Sequence, residues 1–86
     1  MISEMEMDSD PVAKLTYGQK AVGLTFNPSG DQDVRLIKEQ FATIIDTMNN
    51  MRNAATIPEV KRMFSVAITE AQTAQMWAVK AITWRD

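Results

Sequence analysis

The chain has 86 residues, a formal net charge of -2, and neither cysteine nor histidine. A chain this short buries only about 60–65% of its unfolded surface, so an isolated core is marginally stable. The composition excludes disulfides and Cys/His zinc sites as a source of extra stability. We therefore expect one small domain that is stabilised by oligomerisation, with no metal site and no cofactor.

The net negative charge argues against binding to DNA or RNA polymers, which usually requires a basic surface. The opening stretch MISEMEMDSDP is acidic and lacks the basic and apolar regions of a signal peptide. No uninterrupted apolar run approaches the length of about 18 residues that a membrane span needs. We expect a soluble protein with no membrane contact, and the absence of cysteine fits a reducing cytoplasm.

The N-terminal third predicts little regular structure. Residues 1–13 are acidic and rich in methionine, and they predict a flexible tail. Residues 14–26, KLTYGQKAVGLTF, combine apolar side chains with Gly18 and Gly23. These glycines argue against a long helix, so either an extended arm with a turn or a short helix that ends at Gly23 fits the segment.

A first long helix is predicted over residues 29–53. Ser29 and Gln32 have the spacing of a capping box, and Asp31 and Asp33 fall in the first turn, where negative charge is favourable. Apolar residues then follow at spacings of three and four, namely Val34, Ile37, Phe41, Ile44, Met48 and Met51, with Ile45 beside them. This pattern predicts one apolar face directed at a partner helix.

A second long helix is predicted over residues 57–84. Thr56 and Glu59 form a second capping box, with Pro58 in the first turn. Neither glycine nor proline occurs after Pro58, so roughly 26 residues should form a rod of about 40 Å. The short connection makes the two long helices antiparallel. The predicted fold class is all-α: a short N-terminal arm or helix followed by a long two-helix hairpin.

The second helix has three faces that resemble buried ones. They are Val60, Phe64, Ala67, Ala71, Ala74, Ala78 and Ala81; then Ile68, Gln72, Gln75, Val79 and Ile82; and finally Trp77 and Trp84 with Thr73 and Lys80. Glu70 is the one charged residue between Ser65 and Val79, whereas an exposed helix carries charges on its outer face. A hairpin covers one face, which favours a homo-oligomer. The alternative is a monomer whose N-terminal arm covers the remaining face.

Groups suited to catalysis are sparse. The chain has no histidine for general base catalysis, no cysteine nucleophile and no glycine-rich phosphate loop. The helix dipole explains Asp31 and Asp33 without catalysis. An ion pair across an interface is a better explanation of Glu70 than an acid or base role. We therefore predict that the protein is not an enzyme.

Binding of a small molecule remains. Tyr17 and Phe26 lie in irregular segments, where an aromatic ring is available for stacking. Asn27 and Ser29 can form hydrogen bonds, and backbone N–H groups around Gly30 can hold a phosphate at the start of a helix. Packing over the end of the hairpin explains either ring equally well. The basic candidates nearby are Lys14, Lys20, Arg35 and Lys38.

Three segments, LTFNPSGD, VRLIKEQFATIID and SVAITEAQTAQMWAVKAITW, resemble a family of small phage proteins. These are the anti-CBASS cyclic-oligonucleotide sponges (anti-CBASS protein two), which share a helical hairpin with the Thoeris anti-defence sponge. The resemblance covers roughly residues 14–85, and FNPSGD and TAQMWAVKAITW are its most specific parts. It implies a homohexamer in the host bacterial cytoplasm that binds cyclic di- and trinucleotide messengers of the CBASS system and does not cleave them.

The resemblance also implies pockets between protomers, with aromatic rings stacked on bases and with basic and hydroxyl groups on phosphates. The candidate ligand-binding residues are Tyr17, Phe26, Asn27, Ser29, Gly30, Lys38 and Thr69. Lys38 could instead be a solvated surface lysine, and Thr69 could bond across the helix seam. The alternative function is a structural or adaptor oligomer that docks a protein through the face formed by Trp77 and Trp84.

Overall fold

The computed structural model describes residues 14–85, so the predicted tail over residues 1–13 lies outside the described residues. Three helices occur in this range: α1 (Tyr17–Ala21), α2 (Gln32–Ala54) and α3 (Pro58–Ile82). The described residues contain no strand, which confirms the all-α prediction. Of the two predictions for residues 14–26, the short helix is the correct one. The long helices differ from the predicted ranges 29–53 and 57–84 by one to three residues at each end.

The two long helices form an antiparallel hairpin. Near the connection, the Arg52 guanidinium on α2 donates a 2.9 Å hydrogen bond to the Ser65 hydroxyl on α3. At the opposite end, Val34 of α2 and Val79 of α3 line the same cavity. The start of α2 therefore lies beside the end of α3, as the short connection predicts.

Helix α1 is short, and local and tertiary contacts hold it in place. A capping box joins Thr16 and Gln19, with hydrogen bonds of 3.1 and 2.9 Å between each side chain and the other residue's backbone N–H. The Gly18 N–H donates to the Asp46 carboxylate on α2 at 2.6 Å. A methyl group at Gly18 would overlap the backbone carbonyl of Ala42. Glycine at this position therefore lets α1 lie directly on α2.

The predicted N-caps of both long helices are wrong. Asp31, not Ser29, caps α2, because its carboxylate accepts hydrogen bonds from the backbone N–H groups of Asp33 and Val34 at 2.8 and 3.2 Å. Gly30 has a φ of 66°, which turns the chain between Ser29 and the helix. Helix α3 is preceded by Ile57 rather than Thr56 and has no side-chain cap. Ser29 is thereby left exposed in the loop before α2.

Replacing Asp31 with alanine should lower the free energy of unfolding by about 1 kcal/mol, because two N–H groups at the start of α2 lose their acceptor. Ser29→Ala is the matched control and should change stability by less than about 0.5 kcal/mol. Urea denaturation followed by circular dichroism measures both variants. A larger loss for Ser29→Ala than for Asp31→Ala would contradict this assignment of the cap.

The core lies where α1, the following loop and the two long helices meet. Its buried members are Val22, Leu24, Ala42, Ile45 and Ile68. Ile45 is fully buried, whereas Ile44 and Met51 of the predicted stripe are 49% and 53% exposed. The buried face of α2 is therefore rotated from the predicted one, because α1 and the loop cover Ala42 and Lys38 as well as the α3 side.

Helix α3 buries only one of its three predicted faces. Ile68 and Gln75 are its buried residues, so the hairpin covers the face that contains them. Ala74 and Ala81 of the alanine-rich face are exposed. Trp77 is 66% exposed, as the prediction of surplus apolar faces requires. A single chain therefore leaves the face with Trp77 and Trp84 uncovered, together with part of the alanine-rich face.

Candidate functional site

The loop between α1 and α2, residues 22–31, is organised around a buried lysine. The Phe26 N–H donates to the Gly23 carbonyl at 2.9 Å, which closes a turn. The Lys38 ammonium, which projects from α2, donates to the carbonyls of both Gly23 (2.9 Å) and Phe26 (2.5 Å). Lys38 is only 5% exposed. This one side chain therefore fixes both ends of the turn that carries Phe26.

The charge of Lys38 has no carboxylate partner within residues 14–85. The ion pairs in this range are Arg35–Glu39 and Arg62–Glu59, and neither includes Lys38. Desolvation by burial lowers the pKa of the Lys38 ammonium. A buried cation that is bonded only to neutral carbonyls attracts an anion that can approach it.

Phe26 presents its ring to solvent beside this ammonium. The side chain is 72% exposed, and the Lys38 nitrogen lies 5.6 Å from the ring centroid. The next residue, Asn27, braces the loop: its amide donates to the Asp31 carbonyl at 2.9 Å, and its oxygen accepts from the Asp31 N–H at 3.3 Å. The loop thus holds an exposed aromatic ring at a defined position.

The loop, the start of α2 and the end of α3 enclose a cavity of about 450 Å³, which we call the loop cleft. Its lining residues are Phe26, Asn27, Pro28, Ser29, Val34, Lys38, Val79, Thr83 and Arg85. This volume falls within the range of about 300–1,000 Å³ that is typical of small-molecule sites. The lining includes two cations and no carboxylate. The loop cleft therefore suits a ligand that has both an aromatic and an anionic part.

Two further cavities adjoin the loop cleft. One, of about 470 Å³, shares Phe26, Lys38 and Val79 with it and adds Lys20 among its lining residues. The other, of about 370 Å³, contains Gly30 and Arg35 and also touches Asn27. Phe26 and Lys38 therefore lie between the loop cleft and the 470 Å³ cavity. Asn27 lies between the loop cleft and the 370 Å³ cavity.

The structure brings four of the seven candidate residues into the loop cleft: Phe26, Asn27, Ser29 and Lys38. Gly30 lines the neighbouring cavity. The alternative that Lys38 is a solvated surface lysine is wrong, because its ammonium is buried and bonded to two carbonyls. Tyr17 and Thr69 lie elsewhere on the chain, and the ligand-binding role of all seven stays a prediction.

Tyr17 belongs to a second aromatic–cation pair, on α1. Its ring is 46% exposed, and the Arg52 guanidinium lies 5.6 Å from the ring centroid. Arg52 is oriented by hydrogen bonds to Asn49 (2.6 Å) and Ser65 (2.9 Å). Thr69 is exposed on α3, where its backbone carbonyl accepts from the Thr73 hydroxyl at 3.1 Å. The Tyr17–Arg52 pair therefore forms a separate candidate contact for an aromatic anion.

Sequence reasoning missed the contribution of α3 to the loop cleft. Val79, Thr83 and Arg85 line it, and none of them was a candidate. The antiparallel hairpin was the signal that could have found them, because it places the end of the second helix beside the start of the first. Arg85 is the cation nearest to that end of the chain and is exposed.

Residues 14–85 contain no group of three or more His, Cys, Asp or Glu side chains that could hold a metal ion. None of the three helices is both long enough and apolar enough to cross a bilayer.

The fold is a small helical hairpin, and the aromatic and cationic loop cleft at one end of it is a candidate small-molecule site. A family model described as Acb2/Tad1, hairpin domain, matches residues 19–83. The chain therefore belongs to the Acb2/Tad1 hairpin family, as the resemblance in the sequence implied. Members of this family are phage anti-defence sponges of nucleotide messengers. Searches of curated proteins and of solved structures found no match.

Proposed function

We propose that the protein is an anti-defence sponge that binds cyclic di- and trinucleotide messengers of the CBASS system and holds them without cleaving them. Family membership supports the anti-defence role and a nucleotide partner. The observation that carries the finer proposal is the loop cleft, where the exposed Phe26 ring adjoins the buried Lys38 ammonium. An aromatic ring can stack on a base while the adjacent ammonium binds a phosphate of the same nucleotide.

In this proposal, Phe26 stacks on a base of the ligand. Stacking of a base on an aromatic side chain contributes about 1–3 kcal/mol. The 72% exposed ring is available to a ligand without rearrangement of the core. The exposed Ser29 hydroxyl and the Asn27 amide line the same cleft and supply polar contacts to the base edge or the ribose.

Lys38 and Arg85 provide the charge for the phosphates. The Lys38 ammonium has three N–H groups, of which two are used by the carbonyls of Gly23 and Phe26, so one remains for a ligand. The Arg85 guanidinium donates to the neighbouring Trp84 carbonyl at 3.0 Å and keeps further N–H groups for a phosphate. Lys38 lies on α2 and Arg85 follows the end of α3, so two separate cations line the cleft and could contact different phosphates of one ring.

The Tyr17–Arg52 pair is the second candidate contact. It repeats the combination of an exposed ring and a cation within 6 Å, on a different part of the chain. A ligand bound there would stack on Tyr17 and place a phosphate near Arg52. Because Thr69 lies on neither surface within one chain, its proposed role requires a pocket that is shared between protomers.

We also propose that the sponge assembles as a homohexamer in the cytoplasm of the infected host. The uncovered apolar residues of α3 support an oligomer, since a single chain leaves Met76, Trp77 and Trp84 at least 60% exposed. The same exposure supports the alternative function, a structural or adaptor oligomer that docks a protein partner through Trp77 and Trp84. A test of cyclic nucleotide binding distinguishes the two functions, because only the sponge is expected to bind these ligands.

A thermal-shift screen with cyclic di- and trinucleotides tests the proposal directly. A ligand at 100 times its dissociation constant should stabilise the protein by about 2.7 kcal/mol. The matched control is the linear dinucleotide with the same bases, which should produce a smaller shift. After heat denaturation of the complex, chromatography should recover the intact cyclic ligand.

Two outcomes would contradict the proposal. If no cyclic nucleotide shifts the melting temperature, the messengers are not the ligands and the adaptor function is favoured. If the cyclic ligand is recovered as a linear product, the protein is a hydrolase rather than a sponge.

A further inference from the structure

The exposed tryptophan face of α3 carries a symmetric pattern. We define it as Val66, Glu70, Thr73, Trp77, Lys80 and Trp84, all of which are exposed. The intervals between them are four, three, four, three and four residues, so the pattern reads the same in both directions. Alternating intervals of three and four are those of the seam residues in a pair of packed helices.

Contacts between side chains show that Trp77, Lys80 and Trp84, at the C-terminal end of this face, lie on the same surface. The Lys80 ammonium lies 5.5 Å from the centroid of the Trp77 ring and 5.9 Å from that of Trp84. Trp84 follows the last turn of α3, and its backbone N–H donates to the Ala81 carbonyl at 3.4 Å. The face therefore continues in line through Trp84.

When a second copy of this face is reversed and laid against the first, its residues match in pairs. Val66 lies opposite Trp84, Glu70 opposite Lys80, and Thr73 opposite Trp77. Within one helix Glu70 and Lys80 are about 15 Å apart along the axis, so they cannot pair in the same chain. The ion pairs of residues 14–85 include neither of them.

We propose that two copies of the chain pair through their tryptophan faces in antiparallel orientation, with Glu70 of each copy opposite Lys80 of the other. Such an interface is self-complementary and has twofold symmetry. The proposal rests on the homo-oligomer proposed above and specifies which surface forms one of its contacts. The proposed pairing does not depend on a bound ligand.

Charge selects this arrangement over the alternatives. A parallel pair would place Glu70 against Glu70 and Lys80 against Lys80, which is repulsive. Sliding the antiparallel pair by seven residues in one direction places Glu70 against Thr73, and in the other direction places Lys80 against Trp77. Of these arrangements, only the proposed register places Glu70 opposite Lys80, and its twofold symmetry forms two such pairs.

The tryptophans supply a substantial part of the area that such a contact needs. A buried Trp covers about 150–250 Å², and Trp77 and Trp84 are 66% and 61% exposed in the single chain. Four such side chains in a dimer would bury roughly 400–600 Å², a third to a half of the smallest specific interfaces. Val66 and the neighbouring Met76 extend the apolar area.

Disulfide cross-linking of the full-length chain tests the register. The native sequence has no cysteine, so any disulfide that forms must join the introduced cysteines. The double variant Glu70→Cys/Lys80→Cys should form a covalent dimer on mild oxidation. Glu70→Cys alone should not, because the proposed register holds its two copies about 15 Å apart. Efficient dimerisation of Glu70→Cys alone would indicate the parallel arrangement and overturn the proposal.

Charge exchange provides an independent test, read as molar mass by light scattering over a range of concentrations. Glu70→Lys and Lys80→Glu each place like charges together and should raise the dissociation constant of this contact roughly tenfold. The exchanged variant Glu70→Lys/Lys80→Glu should recover the wild-type mass profile. Glu59→Arg, outside the paired segment, is the control and should assemble normally.

Three results of the light-scattering test would overturn the pairing. The first is a wild-type chain that stays monomeric at all concentrations, which also removes the proposed oligomer. The second is an oligomeric wild type whose mass is unaffected by either single reversal. The third is an exchanged variant that dissociates as readily as the single variants. The last two leave the oligomer and the ligand proposal intact and reject only this interface.

Discussion

Replacing Phe26 with alanine should weaken binding of a cyclic nucleotide roughly tenfold or more, because the base loses a stacking contact of about 1–3 kcal/mol. The fold should remain intact, since the ring is 72% exposed and contributes no core contact. Its loss removes a cation–π contact between the exposed ring and the buried Lys38 ammonium, which contributes about 0.5–2 kcal/mol. Isothermal titration calorimetry measures the affinity, and urea denaturation measures the stability.

Phe26→Tyr is the matched control, because it keeps an aromatic ring of the same shape in the loop cleft. Its affinity should stay within about threefold of wild type, a change of less than 1 kcal/mol. If Phe26→Ala loses stability in proportion to affinity, the ring acts through the fold and not through the ligand. That result would remove the stacking role.

Tyr17→Ala applies the same test to the other aromatic–cation pair. The Tyr17 ring lies beside Arg52, and neither residue lines the loop cleft. Titrations of both alanine variants with a cyclic dinucleotide and a cyclic trinucleotide therefore show which ring serves which ligand. If both variants bind both ligands as tightly as wild type, neither ring stacks on a base and the proposed mode of binding is wrong.

Helix periodicity predicted the hairpin because each long helix carries a regular pattern that ends at a clear break. The exact caps were harder to predict. Ser29 and Asp31 are both good N-cap residues, and only the turn at Gly30, with its φ of 66°, decides that the helix starts after Asp31. Local sequence rules rank such neighbours nearly equally, so the choice depends on the tertiary position of the loop.

The candidate site was predictable to the extent that its residues are adjacent in sequence. Phe26, Asn27 and Ser29 were all found in this way, since the loop places them together. Arg85 was not found, because it reaches the cleft only through the pairing of α2 with α3. Lys38 was found, but its burial was not expected, because a lysine within a polar stretch of a helix is usually exposed.

Replacing Lys38 with methionine should weaken ligand binding roughly hundredfold, through two effects of the same substitution. The ligand loses a charged hydrogen-bond donor, typically a contribution of about 1.5–3 kcal/mol. The Phe26 carbonyl loses its 2.5 Å partner, so the turn that places the Phe26 ring is no longer fixed. Stability should fall by only about 1–2 kcal/mol, because the lost hydrogen bonds are partly offset by removal of a buried charge.

Lys14→Met is the matched control for this substitution. It removes one positive charge from the chain, but Lys14 is exposed and lines neither cavity beside Phe26. Its affinity should stay within about threefold of wild type. If Lys14→Met weakens binding as much as Lys38→Met, the effect is one of net charge, and the specific role of Lys38 is rejected.

The pH dependence distinguishes the charge of Lys38 from its role in holding the turn. Burial lowers the pKa of Lys38 from the ordinary value of 10.5, and the cations that share its cavities are Lys20 and Arg85. As the pH rises through the lowered pKa, the Lys38 ammonium loses its charge, so affinity for the phosphates should fall. Over the window between the lowered pKa and 10.5, the unfolded chain holds a proton that the folded chain has released. The stability of wild type relative to Lys38→Met should therefore rise with pH while its affinity falls. If affinity and relative stability fall together, Lys38 acts only by holding the turn.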